Sequence, residues 1–206
     1  LFRSSVLNQD NKPNIGSNFN SVAVGQLNMN NVYGNCTVSF KEIEELNISD
    51  VYPMHNNLIG RWDIGNSYLD GHIRKANIDQ GGKLPFSIYF NQYVDVVNIR
   101  NMSHIAEKVQ SGDTFFWFEE GVGEVNIDNL QLGSSMFRVW TPSPVVVNIT
   151  NSSFMLSDSA NPSADNVFNL VNCDVCMATG TDKRKHDLTF RGTMSQLREY
   201  LEKYGY

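Results

Sequence analysis

The chain has little charge, few cysteines and no long apolar run. Charged residues make up 18% of its 206 residues, and 16 basic against 22 acidic side chains give a net charge of −6. A basic footprint of the kind that binds nucleic acid is therefore absent. No apolar run approaches the length of a membrane span. We expect neither a nucleic-acid partner nor a membrane span.

Three cysteines are too few for a disulfide framework. The pair Cys173-x-x-Cys176 would need two further ligands to hold zinc. In the register of the repeat described below, Cys173 takes the position of Met102 and Leu130, which predicts a small buried hydrophobe. The four histidines form no spaced pair, and there is no phosphate loop, nucleophile elbow or dinucleotide fingerprint. We expect no metal and no cofactor, and we assign no catalytic residue.

Asparagine is abundant instead: the chain has 25, about three times the ordinary share. Many of them stand between two apolar residues, as in Leu46-Asn47-Ile48. The frame recurs along the chain at steps of 19 to 30 residues. Its central residues are Asn28, Asn47, Asn77, Asn98, Asn126, Asn148 and Asn169, with Thr189 in an eighth copy. A repeat near this length predicts a solenoid in which each copy is one coil.

The alternation of apolar and polar residues in the frame has the period of a β-strand with one dry face. The flanking residues should point inward, and the asparagines should stack outward about 4.8 Å apart in a hydrogen-bonded ladder. This predicted ladder includes Asn47, Asn77, Asn98, Asn126, Asn148 and Asn169. Three residues after each centre stands a predicted turn column of Asn31, Asp50, Gln80, Asn101, Asn129, Asn151, Asn172 and Gly192.

The expected fold class is all-β, a parallel β-helix of about seven to eight coils with a short C-terminal capping helix. The copies also fit the L-x-x-L-x-L frame of a leucine-rich repeat, as in residues 43–48. The segments between copies, such as 114–118 and 135–140, are aromatic and β-branched, which favours strands over the helices of that alternative.

The predicted domains are an N-terminal arm or linker over residues 1–20, the β-helix over 21–193 and the capping helix over 194–206. Ser195 is the expected N-cap of this helix, and Gly205 ends it. Its apolar face contains Leu197 and Leu201. A helix over the last coil would cover the open core and prevent edge-to-edge aggregation.

The candidate binding site lies in the densest aromatic stretch of the chain. Alternation places Phe116 and Phe118 on one face of a strand and Phe115 and Trp117 on the other, so one pair can fill the core. Exposed aromatic rings beside carboxylates suit sugars. The predicted ligand-binding residues are Phe115, Trp117, Glu119, Glu120 and Trp140. Trp62 is expected to play a similar role. The alternative is core packing with an oligomer interface.

Coil length, asparagine columns and irregular loops between residues 27 and 192 resemble the right-handed parallel β-helix proteins, in particular bacteriophage tail spikes and tail fibres. This resemblance implies a structural, receptor-binding virion protein of the tail or extracellular surface. It also implies a homotrimer that recognises a host surface polysaccharide or contacts other virion proteins. A second possibility on the same scaffold is a polysaccharide depolymerase, a hydrolase or lyase, but no carboxylate pair is singled out for it.

The stretch Leu188-Thr189-Phe190-Arg191-Gly192-Thr193, ahead of a terminal helix, resembles Bacteroides-type surface leucine-rich-repeat proteins. That resemblance implies an interaction protein that binds another protein.

Overall fold

A computed structural model describes residues 15–30, 36–50, 61–64, 71–83, 87–103, 114–156, 165–178 and 183–206. Within these ranges the description of side chains omits 15–22, 36–41, 61–64, 83, 114–115 and 134–136.

The described chain is built of strands with one helix at its C-terminal end. The strands are β1 Ile15–Asn30, β2 Cys36–Ser49, β3 Arg61–Ile64, β4 His72–Lys83, β5 Ser87–Phe90, β6 Tyr93–Ser103, β7 Thr114–Phe118, β8 Val122–Trp140, β9 Val146–Thr150, β10 Ser153–Leu156, β11 Val167–Met177 and β12 Lys185–Thr193. The helix is α1, Met194–Tyr204.

Successive copies of the asparagine frame lie side by side. Strands β1, β2, β4, β6, β8, β9 and β11 pair in parallel in that order, and the central asparagines stand directly opposite one another. The residues that flank each asparagine point into the core; Leu46 and Ile78, for example, are fully buried. Alternation along the strand produces this division, since successive side chains point to opposite faces.

A second run of parallel pairs connects the beginning of β2 through β3, β5 and β7 to the end of β8. Its inward residues include the aromatic side chains of Phe90, Phe116, Phe118 and Phe137. The rings of Phe90 and Phe118 stack with their centroids 5.2 Å apart. Phe116 meets Phe137 edge-on at 5.9 Å. These rings fill the space between the two runs.

The predicted parallel β-helix of seven to eight coils is wrong. The strands belong to one 12-stranded sheet of mixed order. Its pairings β8–β9, β9–β11, β11–β10 and β10–β8 close it into a four-strand barrel. The closure is possible because β8 continues for 19 residues through the left-handed Asn129 (φ 54°) and therefore pairs with both runs.

The eighth copy of the frame also departs from the expected pattern. Strand β12 runs antiparallel to β11, with Phe190 opposite Leu170 and Leu188 opposite Cys173. Because β11 extends to Met177, only residues 178–184 connect it to β12. Seven residues suit a reversal, whereas a parallel return normally needs a dozen or more. The left-handed residue of this copy is Asp187, not Gly192.

Left-handed backbone occurs in the turn column at Asp50, Asn101, Asn129, Asn151 and Asn172. Asn31 lies outside the described residues.

Like Gly192, Gln80 does not take the left-handed conformation, and its side chain is fully buried. The register slips between Asp79 and Lys83, and Gly81 and Gly82 take the positive φ values instead.

Helix α1 covers the C-terminal end of the sheet, and its Leu197 and Leu201 are fully buried. The N-cap is Thr193 rather than the predicted Ser195. Thr193 and Gln196 form a reciprocal capping box, and Gly205 ends the helix at φ 67°. In the described ranges α1 is the one helix, so the outer helices of a leucine-rich repeat are not seen there.

The strand assignments overlap the predicted N-terminal arm, because β1 begins at Ile15. Residues 1–14 lie outside the description.

None of the described helices has the length and apolar character needed to cross a membrane.

Candidate functional site

Three aromatic side chains stand in one column on the outer face of the second run. Trp117 of β7 lies opposite Tyr89 of β5 on one side and Trp140 of β8 on the other. The rings of Trp117 and Trp140 stack with centroids 4.1 Å apart and planes 12° apart, and Tyr89 continues the stack at 5.8 Å from Trp117. All three are half-buried. We call Tyr89, Trp117 and Trp140 the aromatic row.

Strand alternation explains why these rings are outside. Their neighbours Phe116, Phe118 and Val139 point inward, and both phenylalanines are fully buried. A stack carried on paired strands is rigid before any ligand arrives, so little ordering entropy remains to be lost on binding.

Two carboxylates flank the row where β7 ends. Glu119 and Glu120 lie in the bend that follows Phe118, and both are exposed. The indole Nε1–H of Trp117 donates a hydrogen bond to Oε2 of Glu119. The bend thus fixes one carboxylate at the edge of the row, which places an acceptor beside the aromatic surface.

The structure does not place the other two predicted aromatic residues, Phe115 and Trp62, in the aromatic row. The backbone of Phe115 is opposite Arg138, but its side chain is outside the described set. Trp62 is opposite Ile88, in the register of the inward column, so its backbone position does not belong to the row.

Sequence reasoning missed Tyr89, although a signal was available. Tyr89 precedes Trp117 by 28 residues, the same step that separates Asn98 from Asn126. Applying the ladder step to the aromatic residues would have found it.

A fourth aromatic residue, Tyr93, is the first residue of β6 and is 40% exposed. It lies next to Gly121, which follows the bend of Glu119 and Glu120. Its ring lies across the next strand, where two glycines leave room. A Cβ added at Gly121 would lie 3.5 Å from two ring atoms, and one added at Gly123 would lie 3.3 Å from the hydroxyl. Beside Tyr93, Nε2 of His72 is 2.8 Å from Oδ1 of Asp95. Sequence reasoning did not identify Tyr93.

The asparagine column forms a continuous amide ladder. Each Nδ2 donates to the Oδ1 of the asparagine in the preceding frame over 2.8 to 3.1 Å, from Asn169 back to Asn28. A second ladder in the turn column links Asn129 to Asn101 and Asn172 to Asn151. These amides therefore support the scaffold.

A shallow polar groove of about 290 Å³ lies between the asparagine ladder and the next outward column, which contains Arg100, Asp128 and Thr150. Hydrogen bonds from Thr150 and Asn151 lower the pKa of Asp128 below its ordinary value. Asp128 is therefore held as a carboxylate, the opposite of what a general acid in glycoside hydrolysis requires.

Metal and thiol chemistry find no support in the part of the chain that the structure describes. No three His, Cys, Asp or Glu side chains come together there as a metal site. Cys173 and Cys176 are both buried. Burial raises the pKa of the Cys173 thiol, which disfavours the reactive thiolate.

Comparison with family models, with curated proteins and with solved structures finds no match to this chain.

Proposed function

We propose that this chain is a carbohydrate-binding protein that recognises a surface glycan through the aromatic row. The observation that carries the proposal is the stack of Trp117 on Trp140 on an outer face, with Glu119 fixed at its edge. This half-buried pair of indoles packs on the outer face, and the inward phenylalanines already fill the interior, so the core does not need the stack to be complete.

The chemistry of the row fits sugars. A pyranose combines an apolar C–H face with a ring of hydroxyl groups. In the row, Tyr89 and Trp140 cover the two faces of Trp117, so the apolar face of the sugar packs against the solvent-facing ring edges of the stack. Aromatic side chains supply large contact areas at low conformational cost. Glu119 and Glu120 can accept hydrogen bonds from the hydroxyls, and charge-assisted bonds of this kind are the stronger class.

The setting that we propose is a virion tail or another extracellular surface, where such a protein would mediate attachment to a host. The support is the strand-rich, low-charge scaffold with its asparagine ladders. The homotrimer stays a prediction, which light scattering would test. Depolymerase activity also stays a hypothesis, which the release of reducing ends or unsaturated products from a bound polysaccharide would test.

The experiment is binding of the purified chain to an array of bacterial and eukaryotic polysaccharides, followed by calorimetry on the best ligand. Trp140→Ala should weaken binding at least tenfold, since loss of one stacked ring removes about 1.5–3 kcal/mol of apolar contact. Trp140→Phe should retain most of the affinity.

Val171→Ala is the matched control, because Val171 is an exposed apolar residue (44%) outside the row. Unfolding temperatures of all variants establish that they are folded. Unchanged affinity in folded Trp140→Ala would refute the aromatic row as the binding site.

A further inference from the structure

We propose that Tyr93 forms a second sugar subsite beyond the bend, and that this subsite takes a neutral pyranose rather than an acidic one. The inference rests on the proposed function and extends it to the class of ligand.

The first observation is the support beneath the ring. Tyr93 lies across Gly121, the residue before β8, and Gly123 of β8, and 40% of the residue is open to solvent. Unlike the indoles of the aromatic row, which cover each other's faces, this ring rests on backbone where side chains are missing. It therefore offers an open side to a ligand in the way that an aromatic platform for a sugar requires.

The glycine at position 123 is a steric requirement of this arrangement. A Cβ there would lie 2.6 Å from the backbone oxygen of Asp95, closer than real contacts permit. Gly121 has a φ of 103°, which side-chain-bearing residues rarely adopt. Both glycines thus allow close approach of the strands and leave the space that Tyr93 occupies.

The second observation is the polar pair beside the ring. His72 Nε2 and Asp95 Oδ1 are 2.8 Å apart, and the ring centroids of His72 and Tyr93 are 5.9 Å apart. The side chains of His72 and Asp95 are 37% and 45% exposed. The second oxygen of Asp95 and the other ring nitrogen of His72 can therefore reach hydroxyl groups of a sugar stacked on Tyr93.

Charge selects the class of sugar. Asp95 lies beside the Tyr93 ring, and the exposed Glu119 and Glu120 lie in the bend before Gly121. The nearby Arg74 is paired with Glu44 at 2.9 Å and lies 3.6 Å from Glu42, so its charge is offset. The carboxylate of a uronate or sialate would be repelled by Asp95, Glu119 and Glu120, whereas the hydroxyl groups of a neutral sugar can donate hydrogen bonds to them.

The Tyr93 ring and the aromatic row lie close enough together for one glycan chain to contact both. Gly121 follows Trp117 by four residues, which span at most about 14 Å even when fully extended. Pro142, two residues after Trp140, would be 3.6 Å from a Cβ at Gly121, which places the end of the row next to the platform. A short oligosaccharide can bridge both.

The test is calorimetric titration with neutral chito- and malto-oligosaccharides, from disaccharide to hexasaccharide, and with oligogalacturonides as the acidic series. Wild-type affinity should rise with length for a neutral series. Tyr93→Ala should reduce affinity for the hexasaccharide about tenfold and leave that for the disaccharide on the row unchanged. Tyr93→Phe, which keeps the ring, should stay within about twofold of wild type.

Tyr204→Ala, at an exposed tyrosine (53%) on α1, is the matched control and should bind like wild type. Equal hexasaccharide affinity of wild type and folded Tyr93→Ala would overturn the subsite alone. Preference for the acidic series would overturn the assignment to neutral sugars. Absence of binding to every glycan on the array and in both series would overturn the proposed function together with this inference.

Discussion

At the scale of single residues, the frame asparagines matter because a side-chain amide both donates and accepts. Asn126 donates to Asn98 over 3.1 Å and accepts from Asn148 over 2.9 Å. One residue type repeated at one position thus links each frame strand from β1 to β11 to the next. Asn28, at the β1 end of the ladder, accepts from Asn47 and stands on an exposed surface.

Asn126→Ala should therefore lower the free energy of unfolding by about 1–3 kcal/mol, because it removes two ladder bonds worth about 0.5–1.5 kcal/mol each. Asn28→Ala should cost roughly half as much, since it removes one. Equilibrium unfolding in urea measures both. Glu124→Ala, at an exposed position two residues before Asn126, is the control and should have little effect. Equal costs for the two asparagine variants would contradict a continuous ladder.

The residues also show where sequence is sufficient and where it is not. Asn101, Asn129, Asn151 and Asn172 all adopt the left-handed backbone expected of their column, because short polar side chains tolerate it locally. Gln80 does not, since the two glycines after it lengthen the turn. A bulge of this kind depends on how the neighbouring strand is aligned, which a single copy of the repeat does not reveal.

At the scale of elements, the C-terminal end depends on the reversal of β12 and on α1. Asp174 of β11 anchors the reversal. Its carboxylate is 2.9 Å from Nδ1 of His186 and accepts the backbone N–H of Asp187 over 3.1 Å. Arg184 donates to Ser153 of β10 over 2.7 Å. These contacts hold the strand in the antiparallel direction and position the helix.

The capping box provides a direct test of the helix boundary. Thr193→Ala should lower the free energy of unfolding by about 1 kcal/mol, because it removes the hydroxyl that accepts a hydrogen bond from the backbone N–H of Gln196. The other half of the box is the bond from the backbone N–H of Thr193 to Oε1 of Gln196. Ser195→Ala should change it by less than about 0.5 kcal/mol. Thermal or urea unfolding measures both, and a larger cost for Ser195→Ala would restore the cap predicted from sequence.

This cap was readable in principle. The stretch Thr193-Met194-Ser195-Gln196 fits the capping-box spacing at its first residue, whereas Ser195 has Arg198 three residues later. The reversal of β12 was not readable in the same way. The frame Leu188-Thr189-Phe190 has the same alternation whichever direction the strand runs, so this pattern cannot distinguish a parallel strand from an antiparallel one.

At the scale of the whole molecule, acid should loosen the fold through two carboxylates. Asp128 has a lowered pKa because Thr150 and Asn151 donate to it. At Asp174 burial acts to raise the pKa, but hydrogen bonds from His186 and Asp187, with the charges of His186 and Arg184, outweigh it and leave the pKa lowered. For both, the stabilisation is present above the unfolded pKa of about 3.9 and is lost as pH falls through the folded value.

The wild-type unfolding temperature should therefore fall as pH drops below about 4. The double variant Asp128→Ala, Asp174→Ala should be less stable than wild type near neutral pH, and the gap should narrow in acid. Glu199→Ala, at an exposed position on α1, is the control and should follow wild type. Calorimetry across this pH range measures the effect, and a gap that is independent of pH would count against both carboxylates.

The sequence by itself determined the period, the inward and outward faces and the positions of most turns, because these follow from alternation and from backbone preferences within a few residues. Tertiary structure alone decided the barrel closure, the antiparallel β12 and the assembly of Tyr89, Trp117, Trp140 and Tyr93. Those features depend on which distant strands pair and in what register. The loops between the strands differ in length, and they set which strands pair and in what register. A pattern within a few residues cannot predict that pairing.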